Sequence, residues 1–381
     1  MAIRRTFSVN RTALGWTLLG LLAASAPLPG QPRTRGEREP PDPLPPPLIA
    51  PVIVPPGEEP ELAPRAGPAI TFEERVLELV NEERLANGGL PPLKGVAELN
   101  TSSGTHSFNM ADRDFFAHCD VDTKKSPFQR MTEAGYLWNV AAENIAAGQT
   151  DPDDVMTGPL GWMNSPGHQA NILSTSYREI GIGYYLQAND QGNVRLDENG
   201  DCTADGIFTS PLFRYWTQNF GRRNSVYPVV IDREAHDTPS TTVNLYLYGQ
   251  GWAEEMRFST DGCTWSGWET FSSETPWVLD GGGGNKTVHS EIRNGATVLQ
   301  HSDSIVLEAP CDEPLTRDLS MMTIESCQVY EACDMVSAGD QFQVGSSGDV
   351  TFRAGDRIVL HDGFSVASGG VFRAVIDPAI P

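Results

Sequence analysis

The chain is short of positive charge. Lysine and arginine together number 27 against 50 aspartates and glutamates, a formal net charge of −23 over 381 residues. A nucleic-acid-binding surface needs a basic face that displaces counterions, so this balance argues against a nucleic-acid partner. The same shortage argues against a polybasic membrane anchor. Long apolar runs are missing too. The one candidate, Ala13 to Ala26, falls short of the roughly 20 residues that span a bilayer. No GxSxG, HExxH or Cys/His protease signature occurs, and none of the cysteines stands in a CxxC pair, which disfavours a thiolate zinc cage. Gly281 to Gly284 lacks the lysine-serine/threonine ending of a phosphate loop and reads as a turn. Apolar residues make up 39% of the chain, beside 37 glycines and 29 prolines, so part of it buries a core and part is linker or turn-rich β structure. At about 150 residues per domain the length suggests two or three domains.

What is present begins with a targeting signal. Arg4, Arg5 and Arg11 precede the apolar run, and Ala23, Ala24, Ser25 and Ala26 close it. Charged, apolar and small residues in that order describe a secretory signal over residues 1–26, with cleavage favoured after Ser25 because Pro27 follows Ala26 directly. The mature chain is then expected to carry no transmembrane segment and to lie outside the cell or at the cell envelope. Residues 27–69 read as a proline-rich linker, since Pro40-Pro41-Asp42-Pro43-Leu44-Pro45-Pro46-Pro47 favours an extended polyproline spacer. Export also gives the six cysteines an oxidising setting. Cys119 and Cys202 are the two in the first globular unit and are expected to pair. Cys327 and Cys333 are close enough in sequence to close a small local loop.

Helical patterns come first. Thr71 and Glu74 form a capping box before Phe72, Val76, Leu79 and Val80, with Gly88 and Gly89 as the stop. A second helix is expected from Val96 to Phe116, with Leu99, Ser103, His106 and Met110 on one face, and shorter ones near 127–134 and 152–164. Strands follow at Ile180–Leu186 and Phe213–Phe220. Helices first and strands later argue for an α+β domain over residues 70–224. Between those strands, residues 188–210 form an acidic insertion. Asp197-Glu198-Asn199-Gly200-Asp201 offers hard oxygens that suit calcium, although a solvated hairpin loop is the simpler reading. Residues 225–310 read as all β. Val243, Leu245 and Leu247 alternate with polar positions, and Trp252, Trp265, Trp268 and Trp277 are candidates for an immunoglobulin- or fibronectin-like sandwich core. In residues 319–381 a glycine recurs every few positions between short apolar pairs, which reads as the rungs of a small β-solenoid, with a tight β-meander as the alternative.

Three histidines fall in the α+β domain. His106 lies mid-helix, His118 just past a helix end, and His168 in a Ser-Pro-Gly-His turn that opens a helix. Glu143 is an acid inside an apolar stretch and needs a partner, for which histidine or a metal would serve. The series Phe115-Phe116-Ala117-His118, Ala142-Glu143-Asn144-Ile145-Ala146, Trp162-Met163-Asn164-Ser165-Pro166-Gly167-His168-Gln169-Ala170-Asn171, Glu179-Ile180-Gly181-Ile182-Gly183 and Tyr215-Trp216-Thr217-Gln218-Asn219-Phe220-Gly221 resembles the CAP superfamily. That family comprises cysteine-rich secretory, antigen 5 and pathogenesis-related 1 proteins, also called SCP-domain proteins, and this chain looks like its bacterial secreted branch. The resemblance covers about Ile70 to Arg222. It implies an α-β-α sandwich with a cleft carrying two histidines and two acids, where the histidine pair can hold Zn²⁺ or Mg²⁺. By motif, His118 and His168 match the histidines and Glu143 the first acid. Ser165 stands where the second acid would be. The resemblance implies binding or interaction with an extracellular or envelope ligand more than catalysis. The alternatives are a metal-dependent hydrolase of peptide or envelope material, and an adhesin in which the CAP fold is scaffold.

Overall fold

The computed structural model describes residues 23–25, 70–308, 313–314 and 316–377. Most of the expected targeting segment, the whole proline-rich linker and Cys311 lie outside the described residues.

The first domain is three layers around one sheet. Strands β1 (Ala23–Ser25), β2 (Lys94–Gly95), β4 (Val140–Ala147), β5 (Glu179–Leu186) and β8 (Arg214–Arg222) form that sheet in the order β1-β4-β8-β5-β2. All pairings are antiparallel except β2 with β5. Helix α1 (Phe72–Ala86), α4 (Pro152–Thr157) and α5 (Pro166–Ile172) cover one face. There Val76, Leu79 and Val80 pack with Val155, Met156, Trp162 and Ile172 against Ala142, Ile180, Trp216 and Phe220. Helix α2 (Ala97–Asp112) and α3 (Pro127–Glu133) cover the other face, where Leu99 meets Met131, Tyr136 and Ala141. The short strands β3 (Phe115–Phe116), β6 (Val194–Leu196) and β7 (Gly206–Phe208) make a small side sheet.

Local chemistry explains the ends of these elements. The Thr71–Glu74 capping box forms, and a second one, Ser126 with Gln129, starts α3. Helix α2 is shorter than expected. Asp114 takes a left-handed φ of 48°, which breaks the helix and turns Phe115 and Phe116 into strand β3. The expected helix over 152–164 is split at Gly158 and Pro159 into α4 and one turn of 3-10 helix. Helix α2 lies directly on β5 because Gly181 and Gly183 face it. A Cβ on Gly181 would sit 2.1 Å from the Leu99 carbonyl carbon. The gap is closed by Ser103 and Ser107, whose hydroxyls donate to the Gly181 and Gly183 carbonyls at 3.0 Å. The Cys119–Cys202 disulfide forms as expected, with Cα atoms 5.2 Å apart, and ties the loop after β3 to the acidic insertion.

Residues beyond the first domain are rich in β structure. Strands β9 (Val229–Ile231), β11 (Thr242–Leu247) and β14 (Glu274–Val278) form one sheet. Strands β10 (Asp237–Thr238), β12 (Glu255–Ser259), β13 (Glu269–Thr270), β15 (Gly284–Asn294) and β16 (Thr297–Leu307) form another. The two share a core in which Val243, Leu245 and Leu247 meet Phe258, Val288 and Ile305. Trp252 and Trp277 pack against this core, but Trp265 and Trp268 do not. They lie over Arg257 and Arg293 instead, at 4.1 to 5.1 Å, in a ladder of cations and rings.

The last part holds three three-stranded parallel sheets. Each successive strand of a sheet comes about one circuit of chain later, as in Cys327↔Asp349↔Val371 and Gln343↔Ser365. The circuit is therefore longer than the glycine interval, because three short strands share it and glycines mark its corners. Phe342, Phe352, Phe364 and Phe372 fill the interior as a run of touching rings. Cys327 does not close a local loop with Cys333. It bonds to Cys263 and staples this part to the preceding sheets, while Cys333 is itself disulfide-bonded.

The first domain and the sheets after it meet through polar contacts. Lys94 binds Glu234 at 2.7 Å and also binds Asp303. Arg233 donates to the Leu90 carbonyl at 2.7 Å, and Tyr248 to the Pro92 carbonyl at 2.9 Å. Asn81 donates to the Arg233 carbonyl at 2.9 Å. Asp232, Arg233 and Glu234 all have positive φ, a left-handed turn that this ring of contacts holds in place.

Candidate functional site

Strand β4 carries the site. It is an apolar strand, buried throughout its middle, that is interrupted by the adjacent polar residues Glu143 and Asn144. Glu143 points toward α2 and α3, while Asn144, one position on, points to the opposite face and toward α5.

Glu143 is fully buried and fully partnered. His118 donates from Nδ1 to its Oε1 at 2.9 Å. Arg130 on α3 donates from Nη2 to its Oε2 at 2.6 Å, and from Nη1 to the His118 carbonyl at 2.7 Å. Burial alone would raise the carboxyl. The Arg130 guanidinium and the His118 hydrogen bond together outweigh it and hold the pKa down to about 2. A carboxylate can only accept, so the proton of the His118 ring sits on Nδ1 and the Nε2 lone pair is left. That Nε2 is buried and has no hydrogen-bond partner among the described residues.

His106 lies behind this pair. A carbonyl accepts only, so Nε2 carries the ring proton and donates to Ala117 O at 2.9 Å. Burial, chiefly, and then the Arg130 charge push its pKa down to about 3, so it is neutral at physiological pH. It sits in the packed layer beside Phe115, an interior helix residue.

His168 belongs to the other layer. Ser165 takes the N-cap position of α5 and Pro166 the first helical position, which pre-sets the helix start. The Ser165 hydroxyl makes no capping bond to that helix. Asn144 fixes α5 by donating to the His168 carbonyl at 3.2 Å and accepting from Asn171 at 2.9 Å. The His168 ring is fully buried. The structure thus joins His118 directly to Glu143 and anchors the helix of His168 to the neighbouring residue of the same strand. Among the described residues no group of three or more His, Cys, Asp and Glu side chains is assembled around one point.

The acidic insertion uses its oxygens internally. Asp197 accepts from the amides of Asp201 and Cys202, and Asp201 from that of Thr203, all within 3.1 Å. These are turn hydrogen bonds, as the hairpin reading expects.

Sequence reasoning missed Arg130. The signal for it was present: a buried acid needs a counter-charge, and the Ser126–Gln129 box announces a helix whose next residue is Arg130.

Comparison with known proteins bears on this region. Residues 77–220 match the CAP family, described as the cysteine-rich secretory protein family. An uncharacterized protein of Bacillus subtilis, YkwD, is 41% identical over 113 residues, which is 30% of this chain and 42% of that protein. The uncharacterized membrane protein YlbC of the same organism is 30% identical over 122 residues, 31% of this chain and 34% of that one. The chain therefore spans less than half the length of these curated relatives. Among solved structures, an extracellular protein containing an SCP domain from Bacillus anthracis aligns at 23% identity and a TM-score of 0.30, over 42% of this chain and 45% of that one. An outer surface protein from Borrelia burgdorferi aligns at 19% identity and a TM-score of 0.30, over 42% of this chain and 99% of its own. With the motifs, the layered fold and the His118–Glu143 pair in place, residues 77–220 are a CAP domain.

Proposed function

We propose that the protein works outside the cell or at the cell envelope, binding a ligand through a CAP cleft in which His118 and His168 hold a divalent cation, zinc or magnesium. One observation carries the reading: Arg130 fixes Glu143, Glu143 fixes the Nδ1–H of His118, and the remaining Nε2 is buried with a lone pair and no partner among the described residues. A carboxylate that sets the tautomer of a ligand imidazole is the usual outer support of a metal site. His168 would supply the second nitrogen, and Ser165, where the family has an acid, a neutral oxygen at the rim. Two neutral nitrogens leave positions for water or ligand. For magnesium the fit is poorer, because that ion prefers oxygen.

Hydrolysis is the weaker reading. Glu143 is the acid that His118 touches, and a carboxylate held near 2 by a guanidinium is a poor base. Among the β-rich parts, the two sheets over one core support an immunoglobulin- or fibronectin-like sandwich, and the parallel stacking supports a small β-solenoid. Both would serve as spacer or adhesive modules. The export signal expected over residues 1–26 supports the location. Among the described residues no helix is long and apolar enough to cross a membrane.

Titration calorimetry with zinc at pH 7.5 tests the site. The wild-type protein is expected to bind one ion, His118→Ala and His168→Ala each to lose at least about tenfold in affinity, and acidification to release the metal as protons compete for imidazole. Equal binding by all three proteins would overturn the reading.

A further inference from the structure

One edge of the central sheet is closed by a segment from outside the body of the domain. Strand β4 pairs with β8 along its whole length. On its other side, among the described residues, it pairs with β1 alone, antiparallel, with Ala23 opposite Asn144, Ala24 opposite Glu143 and Ser25 opposite Ala142. Strand β1 also packs against α5, the helix of His168.

The direction in which this edge offers its main chain can be worked out. The Trp162 indole donates to the Ile145 carbonyl at 3.2 Å, so that carbonyl faces away from β8. Main-chain direction alternates along an antiparallel strand. Glu143, two residues earlier, therefore also turns its N–H and C=O outward, toward Ala24. Trp162 occupies the edge at Ile145, and the stretch before it is what β1 covers. Unpaired main-chain groups at such an edge are a template for another strand.

The covering residues are those expected to leave. Cleavage after Ser25 would remove all of β1 and open the edge beside the His118–Glu143 pair. We propose that Ala142–Asn144 is a docking strand for an extended peptide with small side chains, which pairs with it antiparallel and passes between the His118–Glu143 pair and α5. The partner is recognised by main-chain pairing, and its small residues answer the Ala-Ala-Ser register that β1 displays. The inference concerns the same cleft as the cation reading but needs no metal.

The test uses the full-length chain, produced without export, in metal-free buffer containing chelator. Ala24→Pro removes the N–H that faces Glu143. Hydrogen exchange of the peptide covering residues 141–146 is expected to quicken at least tenfold in this variant, with the circular dichroism spectrum unchanged. Adding the capped hexapeptide of residues 22–27 should restore protection saturably. The same peptide N-methylated at the alanine corresponding to Ala24 should not. Three results would overturn the proposal: exchange that is the same in Ala24→Pro and wild type, equal protection by the N-methylated peptide, or loss of the domain's fold in Ala24→Pro, which would make β1 a part of the core and not a replaceable occupant. Because no metal is present, none of these outcomes depends on whether the cation is bound.

Discussion

At the scale of single residues, the candidate site is built from one buried charge and its dependants. Arg130 neutralises Glu143, Glu143 orients His118, and His106 stays neutral behind them. His106 carries a pH signature. Its folded pKa, about 3, lies below the ordinary histidine value, so between that value and 3 the unfolded chain binds the extra proton. Its contribution is present above about pH 6.5 and is lost as pH falls toward 3. The destabilisation caused by His106→Asn should therefore shrink on acidification, by up to about 1.4 kcal/mol per pH unit. Thermal unfolding of both proteins at pH 7, 5.5 and 4.5 checks this, and a constant gap refutes it. Glu143 adds its own loss only below its ordinary value, near 4.5, so the comparison of pH 7 with pH 5.5 reads His106. That Glu143 takes a histidine partner was legible in the sequence, because a buried acid needs one. Arg130 was not, since its partner stands on another element, and the Asn144 link to α5 was not, since it crosses between layers.

At the scale of elements, most of the first domain could be read from caps and periodicity. Helix α1 has its Thr71–Glu74 box and its Val76, Leu79 and Val80 face, and both are observed. The misreadings fall where backbone geometry overrides side-chain pattern. Asp114 at positive φ ended α2 early, and the circuit of the C-terminal sheets proved longer than the spacing of its glycines. The four tryptophans divided because period-two alternation does not say which face of a sheet is covered. The contact of α2 with β5 yields opposite effects from two glycines. Gly181→Ala would place a Cβ 2.1 Å from the Leu99 carbonyl carbon and should cost about 1–3 kcal/mol or more. Gly104→Ala, in the same helix, meets nothing within 4 Å and should add about 0.5–1 kcal/mol by lowering the entropy of the unfolded chain. Urea unfolding measures both, and a stable Gly181→Ala protein would show that α2 does not rest on β5 as described.

At the scale of the whole molecule, the junction after the CAP domain is a buried charge cluster. Burial works against the Lys94 ammonium, but Glu234 and Asp303 hold its pKa above the ordinary lysine value. One lysine cannot neutralise two carboxylates. Burial first, and then the Asp303 charge, push Glu234 up to about 8 against the pull of Lys94. A raised acid stabilises the fold fully below its unfolded value, near 4.5, and the benefit is lost as pH rises through about 8. Glu234→Gln keeps an acceptor for Lys94 and removes the titration. Its melting temperature should gain on the wild type between pH 5 and pH 8.5, read by calorimetry, and a difference that does not change with pH would refute the assignment. The disulfide between Cys263 and Cys327 has a mechanical meaning for a chain tethered at one end and pulled at the other. Load passes through the bond and bypasses the stretch between its anchors, which stand 64 positions apart in the sequence. About 210 Å of contour length stays stored until the bond is reduced, so the thiol chemistry of the surroundings sets how far the molecule can be stretched.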